Sequence, residues 1–385
     1  MNKIIVRNVH AVLSAHIPNK SFILVDGDLI KEISETGNDL VSNTVLDGEG
    51  LTIFPGFIDV HVHGAVGVDV NTADVDGLLA IAEFLAKNGV TGWVPTLVPD
   101  ADENYRKAIN AIDRLIEIQV ERPVAQALGV HYEGVFANQK MCGALRPEFF
   151  KKFTGGAISQ LPRLKKGVHM TTLAPEIDGG INLVRELTAH GWIVSIGHTR
   201  ADTGTLEAAY DAGARHLTHF YNAMTGLHHR NVGVVGWALT KADVTFDIIA
   251  DGIHVDPKML EFACRSKTPD MVSLISDSVA PTGLGDGDYD LWGETVSVVG
   301  GKTQNGRGSI AGSVITMHDA VKRMLSIGFS AAEVSKMASF NPAKLLGVQK
   351  ACGSIEIGKR ADLLATDPAG NIKFVMIGGK TAFEA

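Results

Sequence analysis

The sequence predicts an α/β fold: a (β/α)₈ barrel of the TIM type, with a small β-sandwich domain formed by both chain termini. Three observations favour this fold. Eight apolar strand segments between about residues 55 and 345 are mostly separated by enough residues for a crossover helix. Polar residues capable of chemistry follow nearly every one of these strands. Both ends of the chain carry short β patterns instead.

The two ends of the chain carry similar short β-strand patterns. Near the start, KIIVRNVHAVL and SFILVDGDLIKEIS precede an extended stretch ending in LTIFPG, and DGD at 26–28 is a hairpin signal. Near the end, GSIEIGKRADLLATD and IKFVMIGGK look similar. Neither piece is large enough to bury a core alone. We therefore predict one small β-domain from 1–54 and 346–385, and a barrel domain over 55–345.

Helices and strands alternate through the central part. Apolar residues spaced three and four apart predict a helix over 103–120. A second helix is predicted over 202–213, with Asp202 as its N-cap and Gly213 at its end. The predicted barrel strands are TIFPGFIDV, VTGWVPT, ALGVHYEG, VHMTTLAPE, WIVSIGHT, RHLTHF, TFDIIADG and MVSLISDS.

Composition narrows the class of protein. The chain has 385 residues, 45% of them hydrophobic, and a formal net charge of −8, which argues against nucleic acid as a partner. Its three cysteines (Cys142, Cys264 and Cys352) form no CxxC motif, as expected for reduced thiols. No signal-peptide pattern is evident, and no run approaches the roughly 20 apolar residues of a membrane span. We therefore expect a cytoplasmic protein without a membrane partner.

The strand ends carry a candidate metal site. His61 and His63 lie two apart on the first strand, so their side chains point to the same face. A single histidine at a strand end is most often a structural residue. Because the carboxyl ends of all barrel strands open onto one face, several such residues can converge there, and imidazole with carboxylate suits Zn²⁺ and other first-row ions. The set is His61, His63, Glu133, His198, His219 and Asp277, from strands 1, 3, 5, 6 and 8.

These motifs resemble a known family. IDVHVHG, HYEG, SIGHT, THFYNAM, ADGIHVD and SDS are similar, in order and over nearly the whole chain, to the N-acetylglucosamine-6-phosphate deacetylases of the amidohydrolase superfamily. The resemblance implies Glu133, His198 and His219 as main metal ligands, with Glu133 taking the role that a carboxylated lysine has in many amidohydrolases. Some members lack the HxH pair and use one ion. With His61 and His63 present, we expect one or two divalent ions: zinc first, with Fe²⁺, Mn²⁺ or Co²⁺ as alternatives.

The implied reaction is hydrolysis of an N-acetyl group. A divalent ion lowers the pKa of water and polarises the amide carbonyl. Asp277, in the SDS motif of the last strand, is the expected acid–base group; it would take the proton of the attacking water and deliver it to the departing amine. The products would be acetate and an amino sugar phosphate.

The resemblance also implies substrate contacts. Arg230 is credible as a phosphate ligand because a guanidinium holds phosphate oxygens in a bidentate fork. In the family its counterpart can reach a neighbouring subunit's site, so we expect a homodimer. The implied substrate-binding residues are Ala144, Leu145, Asn222, Ala223, Arg230, Asp251, His254, Ile310, Ala311 and Gly312.

Several departures from the family's usual motifs leave the identity of the substrate undecided. The chain has EGVF at 133–136 where the family usually has EGPF, and Leu145 stands where a histidine usually contacts the sugar. The TGLHHRNVG segment carries the unusual His228 and His229. N-acetylglucosamine 6-phosphate is the first expectation. Alternatives are N-acetylgalactosamine 6-phosphate, another modified amino sugar, a D-aminoacylase-like activity, or a non-catalytic barrel that serves as a scaffold.

Overall fold

Both chain ends contribute to one small β-domain. A computed structural model describes residues 3–13, 16–18, 20–37, 41–42, 44–156 and 160–385, so parts of the predicted 1–54 unit lie outside the described residues. The strand Thr52–Pro55 pairs antiparallel with Leu363–Thr366, which joins the N-terminal and C-terminal halves. The strands of this domain are Lys3–Ala11, Ser21–Asp26, Leu29–Ser34, Thr44–Asp47, Thr52–Pro55, Leu363–Thr366, Ile372–Ile377 and Lys380–Glu384.

One apolar core holds the two halves of this domain together. Ile23 and Ile30 from the N-terminal strands pack in the same cluster as Leu363 and Met376 from the C-terminal strands, and all four are fully buried. The predicted hairpin is present, with Gly27 at a φ of +65° in the turn. The boundaries at 54/55 and 345/346 stay a prediction.

The central part of the chain is the predicted barrel. Each strand pairs in parallel with the next, and the apolar runs are buried on both faces, as expected where helices cover the sheet. The barrel strands are Phe57–Val62, Val90–Leu97, Gly129–Phe136, Val168–Leu173, Ile193–Ile196, His216–Leu217, Thr245–Ile249 and Val272–Ile275, with short strands at Gly64–Ala65, Val68–Asp69 and Gln126–Ala127.

The barrel closes between its last and first strands. Val62 and Ser278 form a parallel bridge, and the backbone N–H of Asp277 donates to the carbonyl of His61 at 3.1 Å. Deeper in the barrel, the Ser276 hydroxyl donates to the buried Asp59 carboxylate at 2.5 Å. This seam brings the HxH pair next to Asp277. The predicted α/β class and its barrel are therefore confirmed.

Helices form the outer layer. The two helices predicted over 103–120 and 202–213 are present at Asp102–Ile118 and Thr203–Asp211, and the Asp202 side chain caps the second by accepting from the N–H of Thr205. Among the described residues, no helix is both long enough and apolar enough to span a bilayer. The other helices are Val75–Lys87, Gly180–Ala189, Gly233–Thr240, Pro257–Lys267, Met317–Ser326, Ala331–Ser335 and Asn341–Leu345, with a π-helical turn at Lys336–Phe340 and 3₁₀ turns at Gln119–Glu121, Gln139–Met141, Pro147–Phe149 and Pro269–Met271.

Two features differ from the sequence prediction. TIFPGFIDV is two strands: Thr52–Pro55 belongs to the terminal sheet and Phe57–Val62 to the barrel, because the chain turns from one sheet into the other at Gly56. An antiparallel sheet not predicted from sequence follows the last barrel strand. It consists of Gly287–Leu291, Glu294–Val299 and Lys302–Asn305.

Candidate metal centre

The cluster residues occupy unusual backbone positions at the strand ends. His198, His219 and Asp277 have φ angles of +49°, +35° and +52°, which non-glycine residues rarely adopt. Each is held there by its neighbours; the carbonyl of Asp277, for example, accepts from the N–H of Ser313 at 2.7 Å. Strained residues concentrate at functional sites, where the surrounding fold enforces them.

The backbone also turns sharply after Glu133. Gly134 has a φ of +68°, and a Cβ there would lie 2.2 Å from Cδ1 of Leu145. Glycine is therefore needed to let the 143–145 loop pack beside the Glu133 carboxylate.

Glu133 joins two sets of imidazoles. Its Oε1 lies 3.1 Å from Nε2 of His198 and 3.0 Å from Nε2 of His219, and the two Nε2 atoms are 3.1 Å apart. Its Oε2 lies 3.2 Å from Nε2 of His63, and Nε2 of His61 is 3.0 Å from that of His63. All five residues are buried.

Asp277 completes the cluster on the side of the first strand. Its Oδ1 lies 3.4 Å from Nε2 of His61 and 3.3 Å from Nε2 of His63. The side chains of strands 1, 3, 5, 6 and 8 thus converge as predicted.

Hydrogen bonds at the far ring nitrogens orient two of the imidazoles. Nδ1 of His63 donates to the carbonyl of Thr96 at 3.2 Å, and Nδ1 of His198 donates to the carbonyl of Met141 at 2.8 Å. Each bond leaves the Nε2 lone pair facing the cluster, which is the arrangement that metal-binding histidines adopt.

The cluster stabilises positive charge. Burial alone lowers the pKa of His63, but hydrogen bonds to Asp277 and Glu133 outweigh it and raise that pKa to about 10. Burial also lowers the pKa of His219, but the hydrogen bond to Glu133 outweighs it and raises that pKa to about 9. Burial raises the pKa of Glu133, but the imidazoles around it hold that pKa well below its usual range.

This donor set fits a divalent metal ion. Within the described part of the chain, two buried groups have ligand atoms that all lie within 4.8 Å of one another: His61, His63 and Glu133, and Glu133, His198 and His219. Glu133 belongs to both, so its carboxylate could bridge two ions. Imidazole nitrogen with carboxylate oxygen suits Zn²⁺ and other first-row ions.

A cavity of about 290 Å³ opens above the cluster. Many of the residues predicted to bind substrate line it, together with five residues of the cluster. The predicted residues in its wall are His63, Glu133, Ala144, Leu145, His198, His219, Asn222, Ala223, His254, Asp277, Ile310 and Gly312.

Four predicted residues lie outside the cavity wall. His61 is buried next to His63, and Ala311 is only 1% exposed because it packs in an apolar cluster under the antiparallel sheet. Asp251 lies behind His254, whose Nδ1 is 2.6 Å from its Oδ2. Arg230 is exposed on a surface loop of its own subunit. Its role in the site stays a prediction.

Sequence reasoning missed several residues of the site. Gly143, Ile249, Trp292 and Ser309 also line the cavity. The HYEG motif contained a further signal, since His131 is fully buried, with its ring centroid 4.7 Å from that of His61.

His131 belongs to a polar layer below the metal cluster. Its Nε2 lies 2.7 Å from Oγ1 of Thr172, which in turn is 2.6 Å from Oγ1 of Thr218. Burial holds the pKa of His131 well below its usual value. His131 therefore supports the cluster from below through hydrogen bonds to hydroxyl groups.

Comparison with known proteins identifies the family. Residues 52–382 match the family described as the amidohydrolase family. The chain belongs to the amidohydrolase family. The relatives of this amidohydrolase also confirm the narrower resemblance to N-acetylglucosamine-6-phosphate deacetylases that its motifs predicted.

Two curated relatives and one solved structure illustrate the similarity. An N-acetylgalactosamine-6-phosphate deacetylase of Escherichia coli O157:H7 is 37% identical over 89% of this chain and 90% of its own length. An N-acetylglucosamine-6-phosphate deacetylase of Bacillus subtilis (strain 168) is 32% identical over 99% of this chain and 97% of its own. A crystallised mutant of the Mycobacterium smegmatis deacetylase, in complex with N-acetyl-D-glucosamine-6-phosphate, superposes with a TM-score of 0.91 at 26% identity, covering 99% of this chain and all of that one.

Proposed function

We propose that this amidohydrolase is a metal-dependent deacetylase that hydrolyses the N-acetyl group of an amino sugar 6-phosphate, giving the amino sugar phosphate and acetate. The observation that carries the proposal is the convergence of four imidazoles, Glu133 and Asp277 at the base of one cavity. It is a hydrolase of linear amide C–N bonds.

The proposed cofactor is one or two divalent ions, zinc first. Glu133, His198 and His219 would hold one ion, and His61 and His63 with Glu133 would hold the other. When bound, such an ion acts as a Lewis acid toward the amide carbonyl and lowers the pKa of water.

Asp277 is the proposed acid–base residue. It lines the cavity and is 6% exposed, so a substrate can reach its carboxylate. Burial acts to raise its pKa, but the charges of His61 and His63 outweigh burial and lower it. The carboxylate is therefore free to accept a proton from the attacking water, and the protonated acid can deliver that proton to the amine nitrogen.

The phosphate end of the substrate is proposed to lie toward Asn222, Ala223 and His254. These three residues follow strands 6 and 7 and line the same cavity as His219. The His254 ring is fixed by the hydrogen bond between its Nδ1 and Asp251 and lines the cavity, so its Nε2 is the proposed donor to the phosphate. N-acetyl-D-glucosamine-6-phosphate is the ligand of the structurally similar Mycobacterium smegmatis protein.

N-acetylgalactosamine 6-phosphate is the second candidate substrate. A relative named for that activity is 37% identical to this chain. The apolar side chain of Leu145 lines the cavity at 3% exposure, where the family usually places an imidazole. The change removes a polar sugar contact, and the two sugars differ only in the orientation of one hydroxyl.

A substrate panel tests the proposal. We expect acetate release from one or both N-acetylhexosamine 6-phosphates, slower release from the unphosphorylated sugars, and none from N-acetyl-D-amino acids. Activity only on the last class would instead identify a D-aminoacylase. A metal-loaded protein inactive on the whole panel would favour the scaffold alternative.

We further propose a homodimer that acts in the cytoplasm. The exposed position of Arg230, away from the cavity of its own subunit, is compatible with a contact to a partner's site. Gel filtration with light scattering tests the dimer.

A further inference from the structure

A tryptophan occupies a turn position that disfavours it. Trp292 and Gly293 connect two antiparallel strands, and their φ angles are +54° and +80°. Two-residue turns with two positive φ angles prefer Asn or Gly, because a Cβ is strained there. A bulky aromatic residue with positive φ is an outlier that the rest of the structure must enforce.

The half-buried carboxylate of Asp69 holds the indole in place. Nε1 of Trp292 donates to Oδ2 of Asp69 at 2.8 Å, and the other oxygen of Asp69 accepts from the N–H of Asn71 at 2.9 Å. Asp69 lies in the short hairpin that follows the HxH pair. The antiparallel sheet is thus tied to the end of the first barrel strand through one side chain.

The indole stands beside the metal cluster. Its ring lies edge-on to the His63 imidazole, with centroids 5.4 Å apart and an angle of 80° between the planes. Nε2 of the same imidazole is 3.3 Å from Oδ1 of Asp277. Trp292 also lines the cavity, together with the apolar side chains of Leu145, Ile249 and Ile310.

We propose that Trp292 is a specificity-determining residue that limits the size of the acyl group the enzyme removes. The inference rests on the proposed deacetylase function. Hydrolysis requires the scissile carbonyl to lie next to Asp277, and the sugar phosphate extends toward Asn222 and Ala223. The remaining substituent of the carbonyl carbon then faces the His63 side of the cavity, where the indole forms the wall. That wall leaves room for a methyl group and excludes longer chains.

An acyl-chain series tests this proposal. The substrates are the N-acetyl, N-propanoyl and N-butanoyl derivatives of glucosamine 6-phosphate, with galactosamine 6-phosphate in parallel. For Trp292→Ala, we expect the ratio of kcat/KM for butanoyl to that for acetyl to rise by about tenfold or more, because each methylene in an apolar pocket is worth roughly that factor. Trp292→Phe should give a smaller rise. An unchanged ratio in both variants overturns the proposal.

Asp69 provides a matched pair of variants. Asp69→Asn keeps an oxygen acceptor for the indole N–H and should preserve the acyl preference. Asp69→Ala removes the acceptor and should shift the ratio in the same direction as Trp292→Ala. Equal butanoyl-to-acetyl ratios of kcat/KM for both Asp69 variants would show that this hydrogen bond does not position the Trp292 indole. Thermal unfolding of each variant identifies a folding defect.

Fluorescence gives a readout that does not depend on turnover. The other three tryptophans, Trp93, Trp192 and Trp237, are at most 3% exposed, and none of them lines the cavity. In an Asp277→Asn background, N-acetylated substrate should change the emission, and Trp292→Phe in that background should abolish the change. A change that persists in the double variant contradicts the placement. A wild-type enzyme inactive on every substrate would refute the proposed function. An active wild-type enzyme whose butanoyl-to-acetyl ratio is unchanged in the Trp292 variants would refute this inference alone.

Discussion

Oδ1 of Asp277 lies 3.3 Å from Nε2 of His63, so the last barrel strand and the first present their functional groups to each other across the closing seam. The seam includes the Val62–Ser278 bridge, the bond from the N–H of Asp277 to the carbonyl of His61, and a bond from the N–H of His63 to the carbonyl of Ser278 at 2.8 Å. The contacts that close the barrel are therefore also the contacts that bring His63 and Asp277 together.

Asp277→Asn should reduce kcat by about 100-fold or more while leaving the metal content unchanged, because the amide cannot transfer a proton but keeps the side chain's shape. Steady-state kinetics and metal analysis of the same preparation check this. Glu261→Gln, the same chemical change at an exposed helix position, is the control and should be neutral. A nearly fully active Asp277→Asn enzyme would contradict the acid–base role.

The two ligand groups predict a defined metal count. Replacing His61 and His63 together with Asn should lower the number of bound ions by one, because Glu133, His198 and His219 still form a complete group. Glu133→Gln should weaken metal binding at both ligand groups, since the Glu133 carboxylate belongs to both. Metal analysis after dialysis measures the counts. If wild type and the His61/His63 variant hold the same number of ions, the HxH pair holds none.

Arg230 should act across the dimer. Arg230→Ala should raise KM for the phosphorylated substrate and leave KM for an unphosphorylated analogue unchanged, because the proposed contact of the guanidinium is with the phosphate alone. Mixing and refolding Arg230→Ala with Asp277→Asn should then recover activity, since one hybrid site has both wild-type groups. No recovery, with hybrid dimers demonstrated, would show that Arg230 acts within its own subunit or not at all.

Acid should destabilise the protein through His169, far from the metal cluster. Burial lowers the pKa of this histidine to about 4, and its Nε2 accepts from the N–H of Leu164 at 3.0 Å. The unfolded chain, with a pKa near 6.5, binds the proton first, so the stability that the neutral ring contributes is present above about pH 6.5 and is lost as pH falls toward 4.

The expected loss between pH 7 and 5 is about 1–2 kcal/mol, reduced from the full shift because the ring is partly screened by solvent. Urea unfolding of wild type and His169→Gln at both pH values measures it. Gln can accept the same hydrogen bond but does not titrate. Parallel losses in the two proteins would contradict the assignment.

The polar residues at the strand ends could be predicted because the sequence pattern that marks them is local. Each apolar run stops at a polar residue, and parallel topology brings all such stops to one face, so the convergence of His61, Glu133 and Asp277 followed from the pattern. The Asp202 cap was readable for the same reason.

The misses depend on long-range packing. Trp292 lies in a turn, in the sequence LWGE, and only contact with Asp69, more than 200 residues earlier, gives it a role. The split of TIFPGFIDV into two strands depends on which sheet each half joins, and both halves are equally apolar. The role of Arg230 stays a prediction, because it depends on a partner chain that one sequence does not describe.

The strand Thr52–Pro55 pairs with Leu363–Thr366, which lies about 300 residues later in the chain. During synthesis on the ribosome, the N-terminal sheet therefore has an open edge until almost the whole polypeptide has emerged. Such an edge invites pairing with other nascent chains. We expect the newly made protein to depend on chaperones more than its finished, closed architecture suggests.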